Sequence, residues 1–301
     1  MSKTVSLLSG LLCTFIWGTT FIAQDTGMDD IGPFTFNAVR FFVGFLALSP
    51  FAFIFERNKI KTSLNKNNKK AFTYLAILIG ISLFLGSALQ QVALLYTDVA
   101  NAAFFTIFYV PMVPIIIFVM YKKSIHWSIW PSVFLCVMGG YLLTNFNNAT
   151  VRLGDSLVIA GAFFWSTHII FTGKIIKDYN LPLTIGAIQT IIVALLSFLV
   201  GLIFEEFILL NILKEKFQIL YAGILSGGIA FVLQIYAQKN IPPAPSAIIF
   251  SLEGVFATIA AWLLLNQILG INNLIGCFFI LIAVIFSQLL PIYDKKNKFK
   301  N

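Results

Sequence analysis

The stretch Ser9–Gln24, SGLLCTFIWGTTFIAQ, decides the reading of this chain. It is apolar enough to enter a bilayer, yet Thr14, Trp17, Thr20 and Gln24 recur at steps of three, three and four residues. Helical spacing puts these four on one face and predicts a membrane helix with a polar stripe. The pattern returns at Leu157–Thr172, LVIAGAFFWSTHIIFT, where an offset of 148 lays Trp17 on Trp165, Thr20 on His168 and Gln24 on Thr172. That offset is close to half of the 301 residues and marks an internal duplication. A second offset of 144 lays Gln90 on Gln234, Ala93 on Ala237, Ala100 on Ala244, Ala103 on Ala247, Tyr109 on Glu253 and Lys123 on Gln267.

Composition supports the membrane assignment. The chain is 59% hydrophobic and 11% charged, with a mean hydropathy of +0.91. Soluble domains carry about 25% charged residues. The 32 phenylalanines read as codon bias on a lipid-facing surface. Cys13, Cys136 and Cys277 sit in apolar runs without a CxxC, which argues against a disulfide framework or a metal site. The start, MSKTVSLLSG, has the lysine and apolar run of a signal peptide. No small-x-small cleavage site follows, and Trp17 and Thr20 belong to the repeat, so it reads as a retained first helix.

A span of the hydrocarbon core takes roughly 20 residues. That ruler gives ten segments: 4–24, 33–55, 71–91, 98–120, 125–144, 154–173, 182–204, 216–237, 244–265 and 271–291. Alternating sides place Lys3, Arg57, Lys59, Lys61, Lys66, Lys69, Lys70, Lys122, Lys123, Lys174, Lys177, Lys239, Lys295, Lys296, Lys298 and Lys300 together. Only Arg152, Lys214 and Lys216 fall opposite, and Arg40 lies inside a span. By the positive-inside rule this sets both termini in the cytoplasm of a bacterial-type inner membrane. The net charge of +8 is then a topology signal, with attraction to anionic lipid, and not a nucleic-acid patch.

Ten spans and a duplication give five per half, and an odd number inverts the second half. The expected architecture is all-α, with one repeat over 4–144, its inverted partner over 154–291, an outer linker at Asn145–Leu153 and a basic cytoplasmic tail at 292–301. Inverted repeats are a recurring design of alternating-access carriers, with the site near the midplane. Gly223 with Gly227, Gly139 with Gly140, and Gly86-Ser87-Ala88 mark close helix contacts. Pro111 and Pro114 interrupt the fourth segment, Pro131 sits in the fifth, and Pro242, Pro243 and Pro245 precede the ninth.

The blocks TFIWGTTFIAQ and IGPFTFNAVRF (14–24 and 31–41), GDSLVIAGAFFWS (154–166) and PAPSAIIFSLEGVFATIAAWLLLNQ (243–267) resemble the EamA branch of the drug/metabolite transporter superfamily. The resemblance runs through both repeats. It implies ten helices in two inverted five-helix repeats that carry small metabolites, amino acids among them, often as export. Gly254 stands where the family usually has proline after the ninth-helix glutamate. Lys123 and Gln267 stand where an acidic residue often ends the fourth and ninth helices.

Glu253 is the sharpest functional candidate, about 13 Å into its span. A charge at that depth costs about 2.5–3.5 kcal/mol on insertion scales, so it must be paired, wet or protonated. A coupling role in the cavity competes with a structural ion pair or hydrogen bond. Arg40, roughly 10 Å deep, could bind a substrate carboxylate or pair with Glu253; snorkelling outward toward Asp29 and Asp30 is the favoured reading. Trp17 and Trp165 would face one another across a cavity and stack on apolar or cationic groups, with core packing as the competitor. His168 could titrate or simply bond a neighbouring helix. Thr20, Gln90 and Gln234 are further polar lining candidates, as are Asn37, Gln91, Asn101 and Tyr109.

The sequence therefore predicts a secondary transporter of a small polar or zwitterionic, amino-acid-like metabolite, probing alternate sides as one five-helix repeat rocks against the other. Export is carried by the resemblance alone. Partners are the small-molecule substrate and the lipid bilayer; a homodimer is compatible with the chain, and no cofactor is called for. There is no GxxxxGK[ST] for ATP, no second deep carboxylate for aspartyl chemistry and no GxSxG, which argues against an intramembrane enzyme. A passive channel or facilitator and a nucleotide-sugar exchanger are the alternatives within reach.

Overall fold

Lipid offers the backbone no hydrogen bonds, so each spanning segment must satisfy its own, and this chain does so with helices. The computed structural model describes residues 2–143, 152–265 and 269–298; no strand occurs among them. The first half comprises α1 (Lys3–Thr26), α2 (Pro33–Lys66), α3 (Lys69–Ala93), α4 (Val99–Thr106), α5 (Tyr109–Tyr121) and α6 (Ile129–Leu143). The second comprises α7 (Leu153–Tyr179), α8 (Pro182–Phe204), α9 (Leu209–Lys214), α10 (Lys216–Leu220), a π-helical stretch (Tyr221–Ala230), α11 (Phe231–Gln238), α12 (Pro243–Phe250), α13 (Leu252–Leu265) and α14 (Ile271–Lys298). Among the described residues nine helices are long and apolar enough to cross a membrane, and α6 is a shorter apolar tenth. The bundle is thus two inverted five-helix repeats. Most of the linker 145–153, and Gln267, lie outside the described residues.

Three helices outrun the apolar ruler. α2 continues from 55 to Lys66, α7 from 173 to Tyr179 and α14 from 291 to Lys298, because backbone bonding persists in basic turns that hydropathy does not register. The α2 extension is tied down: Ser63 Oγ donates to the Tyr179 carbonyl (2.8 Å), Asn67 Nδ2 to that of Asp178 (2.9 Å), and Tyr179 Oη to that of Asn68 (2.7 Å).

The fourth and ninth segments are each two helices. The first breaks at Ile107–Phe108 and the second at Ser251, positions 144 apart. Pro111 explains the first break, since its missing N–H and its ring both fall on the carbonyl four residues back, which is Ile107. No proline follows Ser251 at that spacing. Instead its hydroxyl bonds the Ile248 carbonyl (2.7 Å), a side-chain bond that competes with the helical ladder. Two chemistries produce the same break at equivalent positions.

The most extensive packing joins helices from opposite repeats: α2 with α8, α3 with α7, α6 with α14, and α1 with α13. The repeats are interlaced. Where α2 crosses the π-helical stretch the backbones nearly touch; a Cβ on Gly223 would lie 2.7 Å from the Arg40 carbonyl oxygen. Small residues permit such an approach in lipid.

The α2–α8 pair is closed at both ends by a carboxylate. Glu205, at the end of α8, accepts from the Phe34 and Thr35 N–H groups and the Thr35 hydroxyl at 2.8, 2.7 and 2.7 Å. Glu56 accepts from the Leu183 and Thr184 N–H groups and the Thr184 hydroxyl at 3.1, 2.8 and 2.7 Å. Each antiparallel helix thus caps the other's N-terminus, where the helix dipole favours an anion. A Cβ on Gly32 would overlap the Glu205 carboxylate.

Caps and charge-assisted bonds of this kind are each worth about 1–3 kcal/mol. Glu56→Gln and Glu205→Gln should each lower the melting temperature of the purified protein. Gly32→Ala should reproduce the Glu205 loss and add little to it in the double variant. Full additivity of Gly32→Ala with Glu205→Gln would show that the glycine does not act through the carboxylate.

Candidate functional site

A cavity with about 40 Å³ open to water-sized molecules lies at the centre of the bundle, between the repeats. Its wall is drawn from α1 (Trp17, Phe21, Gln24), α2 (Arg40, Phe41), α3 (Gln90), α4 and α5 (Thr106, Tyr109), α7 (Trp165, Ile169), the π-helical stretch and α11 (Ser226, Phe231, Gln234), and α12 and α13 (Phe250, Glu253). Five pairs in this wall are related by the duplication. Trp17 with Trp165 and Phe21 with Ile169 share the offset of 148; Gln90 with Gln234, Thr106 with Phe250 and Tyr109 with Glu253 share that of 144.

The Tyr109 hydroxyl donates to Glu253 Oε1 at 3.2 Å, both residues being buried. A residue can bond its own duplicate only beside the symmetry axis, so this bond marks where the pseudo-twofold passes. Helix breaks immediately precede both partners and leave local backbone bonds three residues apart, from the Val110 N–H to the Ile107 carbonyl and from the Gly254 N–H to that of Ser251.

The two indoles do not face each other directly. Phe231 stands between them, edge-on to Trp17 at 5.2 Å and parallel to Trp165 at 6.3 Å. Trp165 Nε1 donates to Gln90 Oε1 at 3.1 Å. Gln234 Oε1 has no partner among the described residues, while Gln234 Nε2 reaches Gln238 Oε1 (3.3 Å) and His168 Nδ1 (3.4 Å). On its other nitrogen His168 meets Gln189 Oε1 at 3.0 Å, so both ring nitrogens are engaged.

Several predicted residues lie outside the wall. The α1 face toward the cavity is Trp17, Phe21 and Gln24 rather than Thr14, Trp17, Thr20 and Gln24; Thr14 and Thr20 are buried and bond the Leu11 and Ile16 carbonyls. Spacing alone places the stripe to within one residue, and threonines can turn inward to their own helix. His168 and Asn37 stand one layer behind Gln234 and Arg40. Gln91 bonds the Gln24 carbonyl (2.8 Å), and Asn101 sits half-buried on α4 away from the cavity. Arg40 does not snorkel: it is 4% exposed, and its guanidinium lies over the rings of Phe36 (5.3 Å) and Phe41 (4.8 Å). It makes no ion pair with Glu253 among the described residues. Sequence reasoning missed Phe21, Phe41, Thr106, Ile169, Ser226, Phe231 and Phe250. Applying the two offsets to every apolar residue beside a polar candidate would have found Phe21 with Ile169 and Thr106 with Phe250.

A larger space of about 640 Å³ opens at the face away from the N-terminus, bordered by Asp25, Thr97, Asp98, Arg152, Gly254 and Asn273 among others. It reaches Gly254, next to Glu253. Between it and the central cavity lies one packed layer of Phe21, Ala103 and Ala257.

The description of the EamA-like transporter family matches residues 4–145 and again 152–289. The chain belongs to that family. It is a multi-pass membrane transporter of the drug/metabolite superfamily, and not an enzyme. An uncharacterized transporter of Archaeoglobus fulgidus is 30% identical over 92% of this chain and 84% of its own. The uncharacterized transporter YoaV of Bacillus subtilis is 22% identical over 94% and 97%. Protein WALLS ARE THIN 1 of Arabidopsis thaliana is 25% identical over 73% of this EamA-like chain and 52% of its own. A solved crystal structure superposes with a TM-score of 0.75 at 17% identity, over 96% of this chain and all of that one, a likeness of fold.

If the Tyr109–Glu253 bond exists, the two side chains must be energetically coupled. In a double-mutant cycle of Tyr109→Phe and Glu253→Gln, thermal melting should reveal a coupling of about 0.5–3 kcal/mol. Strict additivity would mean the pair does not interact.

Proposed function

We propose that this EamA-like protein is a secondary carrier of a small polar or zwitterionic, amino-acid-like metabolite, working by alternating access in the inner membrane, with both termini cytoplasmic and export as its direction. The observation that carries this reading is the central cavity itself. It is set on the pseudo-twofold axis and walled by indoles and phenylalanines, with a few polar groups and a buried carboxyl whose side-chain partner among the described residues is its own duplicate, Tyr109. A carboxylate at that depth is costly unless it is paired, hydrated or protonated, which makes an unpaired one a functional candidate.

The packing of Phe21, which lines the central cavity, on Ala103 and Ala257, which line the larger space, supports a carrier over a continuous pore. A pore would need an unbroken wet path, and a cavity of about 40 Å³ holds only a few waters. The lysine and arginine bias supports the orientation. Export rests on the behaviour of the family.

Reconstituted protein should show saturable uptake and counterflow, in which unlabelled solute inside accelerates entry of labelled solute. Flux linear in concentration without counterflow would indicate a channel and overturn the carrier reading. Glu253→Gln should cut transport by at least about tenfold, equivalent to ~1.4 kcal/mol in the barrier, with insertion near normal. Unchanged flux in that variant would remove Glu253 from the mechanism.

A further inference from the structure

We infer that Arg40 is the carboxylate-binding subsite of the central cavity, so that the carried molecule presents an anionic carboxylate to α2 and its cationic end to Glu253. This rests on reading the cavity as the substrate site, and it narrows the substrate class to small zwitterions.

Arg40 is a cation in the cavity wall with no carboxylate within ion-pair distance among the described residues. Its one side-chain hydrogen bond is from Nε to Asn37 Oδ1 at 2.8 Å. Asn37 is itself held, donating from Nδ2 to the Ser87 carbonyl at 3.3 Å. The guanidinium plane is further fixed by the rings of Phe36 and Phe41, and the α2 backbone at Arg40 by its crossing with Gly223. Nε is therefore occupied and the fork oriented, while the two terminal nitrogens keep their donors for a ligand. Such a planar fork matches a carboxylate in two parallel bonds.

The duplication supplies a control within the chain. The offset of 149 that relates the α2 and α8 caps places Arg40 on Gln189, a fully buried amide bonded to His168. The same position in the other repeat is thus occupied by a neutral side chain, and the fold does not demand a guanidinium there. Glu253 likewise faces a neutral duplicate, Tyr109. The guanidinium and the carboxyl group are departures from the symmetry of the site, in one chamber and not bonded to each other among the described residues. An uncompensated buried charge is strongly unfavourable, and a zwitterion laid between them would compensate both. About 40 Å³ leaves room for a molecule of few heavy atoms until the cavity widens.

The test uses the purified full-length protein and the probes glycine, L-alanine, L-serine and glycine betaine, compared with ethylamine and propionate. Binding is read by thermal shift and by tryptophan fluorescence, since Trp17 and Trp165 line the cavity. At least one zwitterion should bind more tightly than ethylamine or propionate. Arg40→Gln should weaken it tenfold or more while leaving ethylamine binding within twofold, and Arg40→Lys should restore part of the loss. Where Arg40→Gln does not fold, wild-type protein decides: the zwitterion should protect Arg40, but not exposed Arg57 or Arg152, from phenylglyoxal as mapped by mass spectrometry. Zwitterion affinity unchanged in Arg40→Gln, or no protection of Arg40, overturns the subsite. If ethylamine binds and carboxylates do not matter, only this inference fails. If no probe binds and Glu253→Gln still transports, the cavity reading fails with it.

Discussion

The reciprocal capping of α2 and α8 is the constraint on which the rest of the bundle depends. Within lipid there is little hydrophobic drive for one helix to prefer another, so register must come from directional contacts. Two carboxylates, each holding the first turn of the opposite helix through three bonds, set the sliding position of α2 against α8 at both ends. Arg40 and Asn37 lie between those ends, on the α2 turns that meet α3 and the π-helical stretch. Displacing α2 by one turn would move the guanidinium about 5.4 Å along its axis and out of the cavity. The caps therefore act at the membrane faces to fix a group at its centre.

On this near-symmetric frame the functional groups are asymmetric. Two of the five duplicated pairs, Trp17 with Trp165 and Gln90 with Gln234, are identical, so either repeat could have supplied that part of the wall. What distinguishes the halves is Arg40 against Gln189, Glu253 against Tyr109, and the ring of Phe231, whose equivalent on α3 by the offset of 144 is Ser87. Phe231 divides the space between the indoles and packs on His168 (5.8 Å). Symmetry supplies the chamber; departure from symmetry gives it a polar direction.

The architecture was legible in the sequence because its causes are repeated in it. Hydropathy marked the spans, lysine and arginine sidedness marked the alternation, and Trp17, Gln90 and Tyr109 found their duplicates at constant offsets. The caps were equally visible, since Thr35 to Glu56 and Thr184 to Glu205 span the same 21 residues, each behind a proline. They went unread because a carboxylate near a span end suggests solvent. Arg40 was misplaced for the opposite reason: depth alone does not say whether a long side chain points to the headgroups or inward, and the deciding rings of Phe36 and Phe41 belong to its own helix face. The π-helical stretch had no sequence signal beyond its glycines. It arises from the approach of α2, which is tertiary.

The cavity's small volume also has a physical lower bound. A carrier that alternates must pass through a closed state with the site empty as well as filled. In the empty state Arg40 and Glu253 are unbonded to each other, and a dry guanidinium beside an unpaired carboxyl group at the bilayer centre would raise that state's energy above the filled one. Room for a few waters is enough to solvate both, and Phe21, packed on Ala103 and Ala257, stands toward the space above. A chamber with no such room would stall empty, and one with much more would wet through.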